Sequence, residues 1–352
     1  MTILLVLILI SMLVMAHEWG HFYSARKLGI KVEEFGFGFP PKIWSHTKKG
    51  IKYSINLLPF GGFVKIFGEH GEGEGNRDSF VSRPAWQRFI ILAAGVGMNI
   101  VLAWVLFSAG TLAGLPQATD DSGVPISVAG VLPGSPAEKA GLKFGDQISQ
   151  IIAAEEQKII QDEQQVRDFS EKYGGQEITL VVKRGKDISN VNIIPRAQYP
   201  SGEGPMGIAL ARITTEAVSW YKAPWEGLKI LGRSVVLTIS GLLFILKELV
   251  LEQKTSVAVS GPVGIFTMVG DSQKLGLGYL LQLAGLLSVN LAILNFLPIP
   301  ALDGGRVLFL IIEKLRRKKI DPKWENAAHA IGFALLLLLM ILVTFKDISR
   351  IF

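Results

Sequence analysis

The sequence predicts a polytopic α-helical membrane protein with about four transmembrane helices, a membrane-associated β-hairpin, and one small α+β domain inserted outside the membrane. Three observations carry that prediction. The 352 residues are 49% hydrophobic, and the apolar ones gather in uninterrupted runs. Thr2 to Ala16, Phe89 to Leu115, Leu275 to Leu302 and Ala327 to Phe345 hold no charged residue; the last three, and the first extended to Lys27, reach the roughly 20 residues that cross a hydrocarbon core. Between the second and third runs the composition turns polar, with short β-branched segments and turn residues.

Orientation follows from the short loops. Arg26 to Arg88 holds eleven Lys or Arg against six acids, and Arg306 to Lys323 holds seven more basic residues. The positive-inside rule places both in the cytoplasm, with both chain ends and the long middle segment outside. The net charge of +6 therefore reports topology, and nucleic acid is excluded as a partner. There is no cysteine, so disulfides and thiolate metal sites are excluded. The first run lacks a basic leader and a small-residue cleavage site, and reads as a retained span.

After the first span, GIKVEEFGFGFPPKIWS and GIKYSINLLPFGGFVKIFGE flank the turn-prone HTKKG, which predicts a hairpin lying at or dipping into the membrane. Its strand Lys52 to Leu57 is expected to take up an unwound peptide as an added strand. EHGEGEGNRDS reads as a solvated linker. From Val124 to Arg196, ISVAGVL, DQISQII, EITLVVKR and VNIIP predict strands, with one polar helix near Glu163 to Tyr173. LPGSPAEKAGLKFGDQISQI resembles the entry of a PDZ domain: Pro136 starts a short helix, Gly141 ends it, and Gly145-Asp146 turns into a strand. Gly227 to Val250 is apolar, but Lys229, Arg233, Lys247 and Glu248 leave only Ser234 to Leu246 uncharged, which predicts an interfacial or re-entrant helix. The units are thus 1–115, with two spans and the hairpin; 116–225, the PDZ-like domain; 226–274, the interfacial region; and 275–352, the last two spans.

The first span ends in His17-Glu18-Trp19-Gly20-His21, an H-E-x-x-H pattern. On a helix this spacing sets both imidazoles on one face, able to share one Zn²⁺, with Glu18 beside the metal as a base. Ionisable groups within a span cost about 2.5 to 3.5 kcal/mol each on insertion scales, so three together point to chemistry or transport. A catalytic zinc needs a third protein ligand. The other acid within an apolar run is Asp303, in NFLPIPALDGG, where prolines and glycines break the helix. Counted from the basic flanks, His21 lies about 8 Å and Asp303 up to about 16 Å below the cytoplasmic boundary, in the same half of the bilayer.

HEWGH, GFGF, LLPFGGFVKIFGE, AAGVGMN, VSGPVGI and NFLPIPALDGG, in that order, resemble the site-2 protease family of intramembrane zinc metalloproteases, of the bacterial regulator-of-sigma-E type. The resemblance implies His17, His21 and Asp303 as zinc ligands, Glu18 as catalytic base, and Asn295 as a contact to substrate backbone or oxyanion. Asn290 and Asn99 are further substrate-binding candidates. It also implies a multi-pass protein of the bacterial inner membrane, with the active site toward the cytoplasm. Its substrates would be single-span proteins, such as anti-sigma factors already trimmed by a first protease, or remnant signal peptides. The PDZ-like domain would exclude substrates not yet trimmed. Val96 and Arg306 stand where the family often has proline and histidine, and one PDZ-like domain is visible where better-known relatives carry two. A proton- or metal-coupled transporter would instead show flux across vesicles, and a membrane scaffold would bind without cleaving.

Overall fold

The computed structural model describes residues 2–351 apart from 116, 120, 155, 186, 201–202, 215–216, 249–250 and 252–260. Helix α1 (Thr2–Lys27) rises about 39 Å and lies antiparallel to α2 (Ala85–Leu112). The two backbones meet at glycines: a Cβ on Gly20 would overlap the Ala94 carbonyl, and one on Gly95 would overlap the His21 ring. Small residues at such crossings let helices approach without a hydrophobic driving force.

Between these helices run β1 (Val32–Lys48) and β2 (Ile51–Ile66), joined by Lys49 and Gly50, both at positive φ as a two-residue hairpin turn requires. The predicted hairpin is present, with one addition: both strands fold back on themselves. Residues 35 and 37 partner 64 and 62 on one side and 53 and 55 on the other, while 45 and 47 partner 54 and 52. Four rows result, with 59–66 and 42–48 outermost. The strand Lys52–Leu57 is therefore interior, and the expectation that it offers a free edge is corrected. Phe39, Ile43, Trp44, Leu57, Leu58 and Phe60 leave the sheet with an exposed apolar face.

A second sheet follows α2, in the order β3 (Gln117–Ala118), β9 (Ile208–Thr214), β4 (Ile126–Val131), β5 (Gln147–Ala153), β7 (Ile178–Arg184), β8 (Asp187–Ile193), with β6 (Glu156–Ile159) beside β5. Helices α3 (Pro136–Lys139) and α4 (Glu163–Lys172) cover it, capped by the side chains of Ser135 and Asp162. Ile126, Val128, Ile148, Ile151, Val166 and Leu180 are among the side chains that fill its core. Asp146, fully buried, accepts two 2.6 Å bonds from Arg184 and one from the Lys143 N–H; donating to this carboxylate holds the Arg184 guanidinium above its ordinary pKa. The unit rests on the helical bundle through Lys143–Asp271 at 2.7 Å and Phe144 against Tyr279.

Among the described residues, five helices are long and apolar enough to cross a membrane: α1, α2, α5 (Ala223–Lys247), α7 (Leu277–Asn295) and α9 (Pro322–Ile351, over residues to Ser349). The sequence pointed to four. The addition is α5, a single helix of 25 residues in which Lys229 pairs with Glu226 at 2.8 Å, so the charged turn at its start does not interrupt it. It begins beside the end of α2, where the Trp104 indole N–H donates to the Pro224 carbonyl at 2.9 Å, and runs along α2 and α7. Two shorter helices complete the bundle, α6 (Pro262–Leu275) and α8 (Asp303–Arg316).

Candidate metal centre

His17, Glu18 and His21 lie in the second half of α1, which carries no β-branched residue after Val14. Both imidazoles are buried, and their Nε2 atoms lie 3.2 Å apart. Asp303 enters from the first turn of α8, with Oδ2 at 3.0 Å from His17 Nε2 and 3.2 Å from His21 Nε2. Among the described residues these are the one group of three or more histidines and acids close enough to hold a single ion. The sequence separation between His17 and Asp303 is closed by the turn 296–302, against which Gly304 and Gly305 of α8 pack: a Cβ on either would overlap the Leu297 or Ile299 carbonyl.

The proton count shows what the pocket wants. His21 Nδ1 lies 2.8 Å from the Ile91 carbonyl, which accepts its proton and leaves Nε2 with a lone pair. Asp303 Oδ2 is buried and has no hydrogen-bond partner. Two imidazole Nε2 atoms and a carboxylate oxygen thus converge at 3.0–3.2 Å, each within reach of the other two. Tetrahedral Zn²⁺ at about 2.0–2.2 Å from N and O ligands separates them by about that spacing. The donor set therefore fits zinc, with room on the metal for water and substrate.

Glu18, next to His17 on α1, accepts the Val64 N–H at its Oε2 at 3.0 Å. The outer row of β2 thus lies against the site, and Gly61 and Gly62 make that possible by seating it on Val14 and Met15 of α1. The asparagines part company. Asn295, at the end of α7, brings Nδ2 to 3.4 Å from His17 Nε2, on the metal side. Asn99, fully buried, faces His17 Nδ1 at 3.4 Å, behind the ring, and its carbonyl accepts from Ser288. Asn290 accepts from Thr238 of α5 at 2.9 Å and tethers two helices. The described contacts of Asn99 and Asn290 are thus to the His17 ring and to neighbouring helices. Arg306 turns outward to Glu69 at 2.7 Å, clear of the ligands. One residue escaped the sequence reading: His329 of α9, whose Nδ1 accepts the Ala301 N–H at 2.9 Å, two residues from Asp303. Its signal was available, as a lone titratable group at the start of an apolar span.

Two histidines and one carboxylate around a shared candidate metal position, with a glutamate next to the first histidine, inside a bundle of apolar helices, define a membrane-embedded zinc hydrolase. The comparisons agree. The chain belongs to peptidase family M50, whose model matches residues 5–339, and it is a zinc metalloprotease. It is 31% identical to the regulator of sigma-W protease RasP of Bacillus subtilis over 439 aligned residues, covering 100% of this chain and 99% of that one. Against zinc metalloprotease RasP of Oceanobacillus iheyensis the figures are 29%, 100% and 99%. A Clostridium perfringens relative is 35% identical over 349 residues, covering 99% of this chain and 98% of its own. The resemblance to site-2 proteases is thereby borne out.

Proposed function

We propose that this protease cleaves single-span membrane proteins within or beside their transmembrane segment, with His17, His21 and Asp303 as zinc ligands. The observation that carries the reading is the meeting of two imidazole Nε2 atoms and one carboxylate oxygen within 3.2 Å, brought from opposite ends of the sequence. When bound, zinc supplies Lewis-acid polarisation of the scissile carbonyl and of the attacking water. Glu18 takes a proton from that water and delivers it to the leaving amide nitrogen. Asn295 donates from Nδ2 to the oxygen on which charge develops. Asn99 holds the rear nitrogen of His17 and so sets the angle of that ring.

A transmembrane substrate hides its amides in i to i−4 hydrogen bonds, so it must unwind before cleavage. The outer row of β2, residues 59–66, supplies replacement backbone partners immediately beside Glu18. The sheet-and-helix unit from 116 to 225 is a PDZ-like domain outside the membrane. Support for this comes from a cavity of about 520 Å³ between α4 and the edge of β9, lined by Val166, Met206, Ile208 and Leu210. There it screens what reaches the bundle. The charge pattern puts the metal centre toward the cytoplasm of a bacterial inner membrane, with both chain ends outside. Helix α5 is re-entrant: it starts beside Thr111 at the outer end of α2, and α6 starts where Asp347, near the outer end of α9, accepts the Gly261 and Gly264 N–H groups. Four spans then remain.

The test is Glu18→Gln assayed on a purified single-span substrate. Cleavage falls by roughly 10²–10⁴-fold while zinc stays bound. Cleavage at the wild-type rate rejects the assignment.

A further inference from the structure

Building on the reading of Asp303 as a ligand, we propose that His329 is a positioning residue that locks the turn carrying Asp303 by accepting the Ala301 N–H. The turn from 296 to 302 joins α7 to α8 and holds two prolines, and its other backbone donors bond within it or back to the end of α7: Phe296 to Ala292, Leu297 to Leu294, Ile299 to Leu297, Leu302 to Ile299. Ala301 is different. Its φ is +84°, a region an L side chain enters only when its surroundings impose it, and its N–H points out of the turn to His329 Nδ1 at 2.9 Å.

Three further contacts fix the partner. Gly332, one helical turn beyond His329 and on the same face, packs so closely on Pro300 that a Cβ would overlap the Pro300 carbonyl. His329 and Gly332 therefore grip consecutive residues of the turn. Phe309 of α8 lies against the imidazole, centroids 5.7 Å apart, which sets the ring plane. Because Nδ1 accepts, the ring is held as the tautomer protonated on Nε2, and Nε2 is buried with no hydrogen-bond partner among the described residues. A half-buried imidazole whose enclosed Nε2 is unpaired keeps its place through the other nitrogen.

The consequence falls on the metal. Ligand atoms serve only when held within about 0.5 Å of productive geometry. Asp303 is the ligand least secured by its own element, since it stands in the first turn of α8 two residues after the strained Ala301. His17 and His21 sit well inside a long helix. Loss of the Ala301 bond relaxes that φ and frees the carboxylate.

The experiment uses the full-length protein in detergent and three replacements. His329→Phe keeps the ring against Phe309 and removes the acceptor. His329→Asn places an amide oxygen where Nδ1 was, and His329→Gln places it one bond too far. Zinc affinity is read by competition with a chromophoric chelator, and ligand geometry by the visible spectrum of the cobalt-substituted protein. Zinc affinity should fall roughly 10–100-fold in His329→Phe and His329→Gln, with an altered cobalt spectrum, while His329→Asn stays near wild type. Wild-type affinity and spectrum in His329→Phe, or equal loss in Asn and Gln, overturns the proposal. Asp303→Ala runs alongside: if it alone loses zinc, only the clamp fails, and if it too keeps zinc, the ligand assignment fails first.

Discussion

The two halves of the metal centre are built in opposite ways. His17 and His21 project from the interior of a regular helix, whose spacing aligns them, and a crossing with α2 at Gly20 and Gly95 packs the rings. Asp303 stands at a helix start, after a turn with two prolines and a residue at positive φ, braced by α9. One half is fixed by local hydrogen bonding. The other depends on packing from three separate elements, and it is the half a distant change can move.

That contrast orders the expected effects. The largest is on the helical half: His21→Ala removes a ligand outright, and zinc stoichiometry by atomic emission should fall to near zero in the purified protein. Gly304→Ala attacks the braced half without touching a ligand. Its Cβ would overlap the Leu297 and Phe296 carbonyls, so the turn must shift, and a displacement near 1 Å costs roughly 10²-fold in cleavage rate. A rate unchanged by Gly304→Ala would show that the turn is looser than its packing implies.

Smaller effects sharpen the comparison from outside the ligand set. Val64→Pro deletes the N–H that Glu18 accepts and one donor of the outer β2 row. A hydrogen bond to a charged group is worth about 1.5–3 kcal/mol, so single-turnover cleavage should slow roughly 10–100-fold with zinc retained. The same substitution at Ile55, in the interior row, should instead destabilise the sheet. Asp146→Ala is the remote control: it strands Arg184 in the second sheet and should cost that unit about 3 kcal/mol in thermal denaturation, leaving zinc content unchanged.

How much of this was legible beforehand follows the same division. H-E-x-x-H within an apolar run announces itself, because spacing on one helix is a local property. The pairing with Asp303 was legible too, through depth counting and the broken helix at NFLPIPALDGG. What sequence could not supply was direction. Asn99, Asn290 and Asn295 are alike as residues in apolar runs, and only the rotation of α2 and α7 separates the metal-facing one from one behind a ligand and one on a neighbouring helix. The hairpin was predicted with its turn, yet its doubling exchanged interior and edge rows, because register between rows is set by bulges that composition does not mark. Helix α5 looked short because charges were counted as ends, whereas an ion pair lets a helix continue through them.

Zinc K-edge absorption of the purified wild type and Asp303→Ala tests the shared centre most directly. The wild type should show two imidazole nitrogens and carboxylate or water oxygen at about 2.0–2.2 Å, and Asp303→Ala should lose metal or exchange one oxygen neighbour. A shell with one imidazole or none, or a spectrum identical in Asp303→Ala, would contradict it.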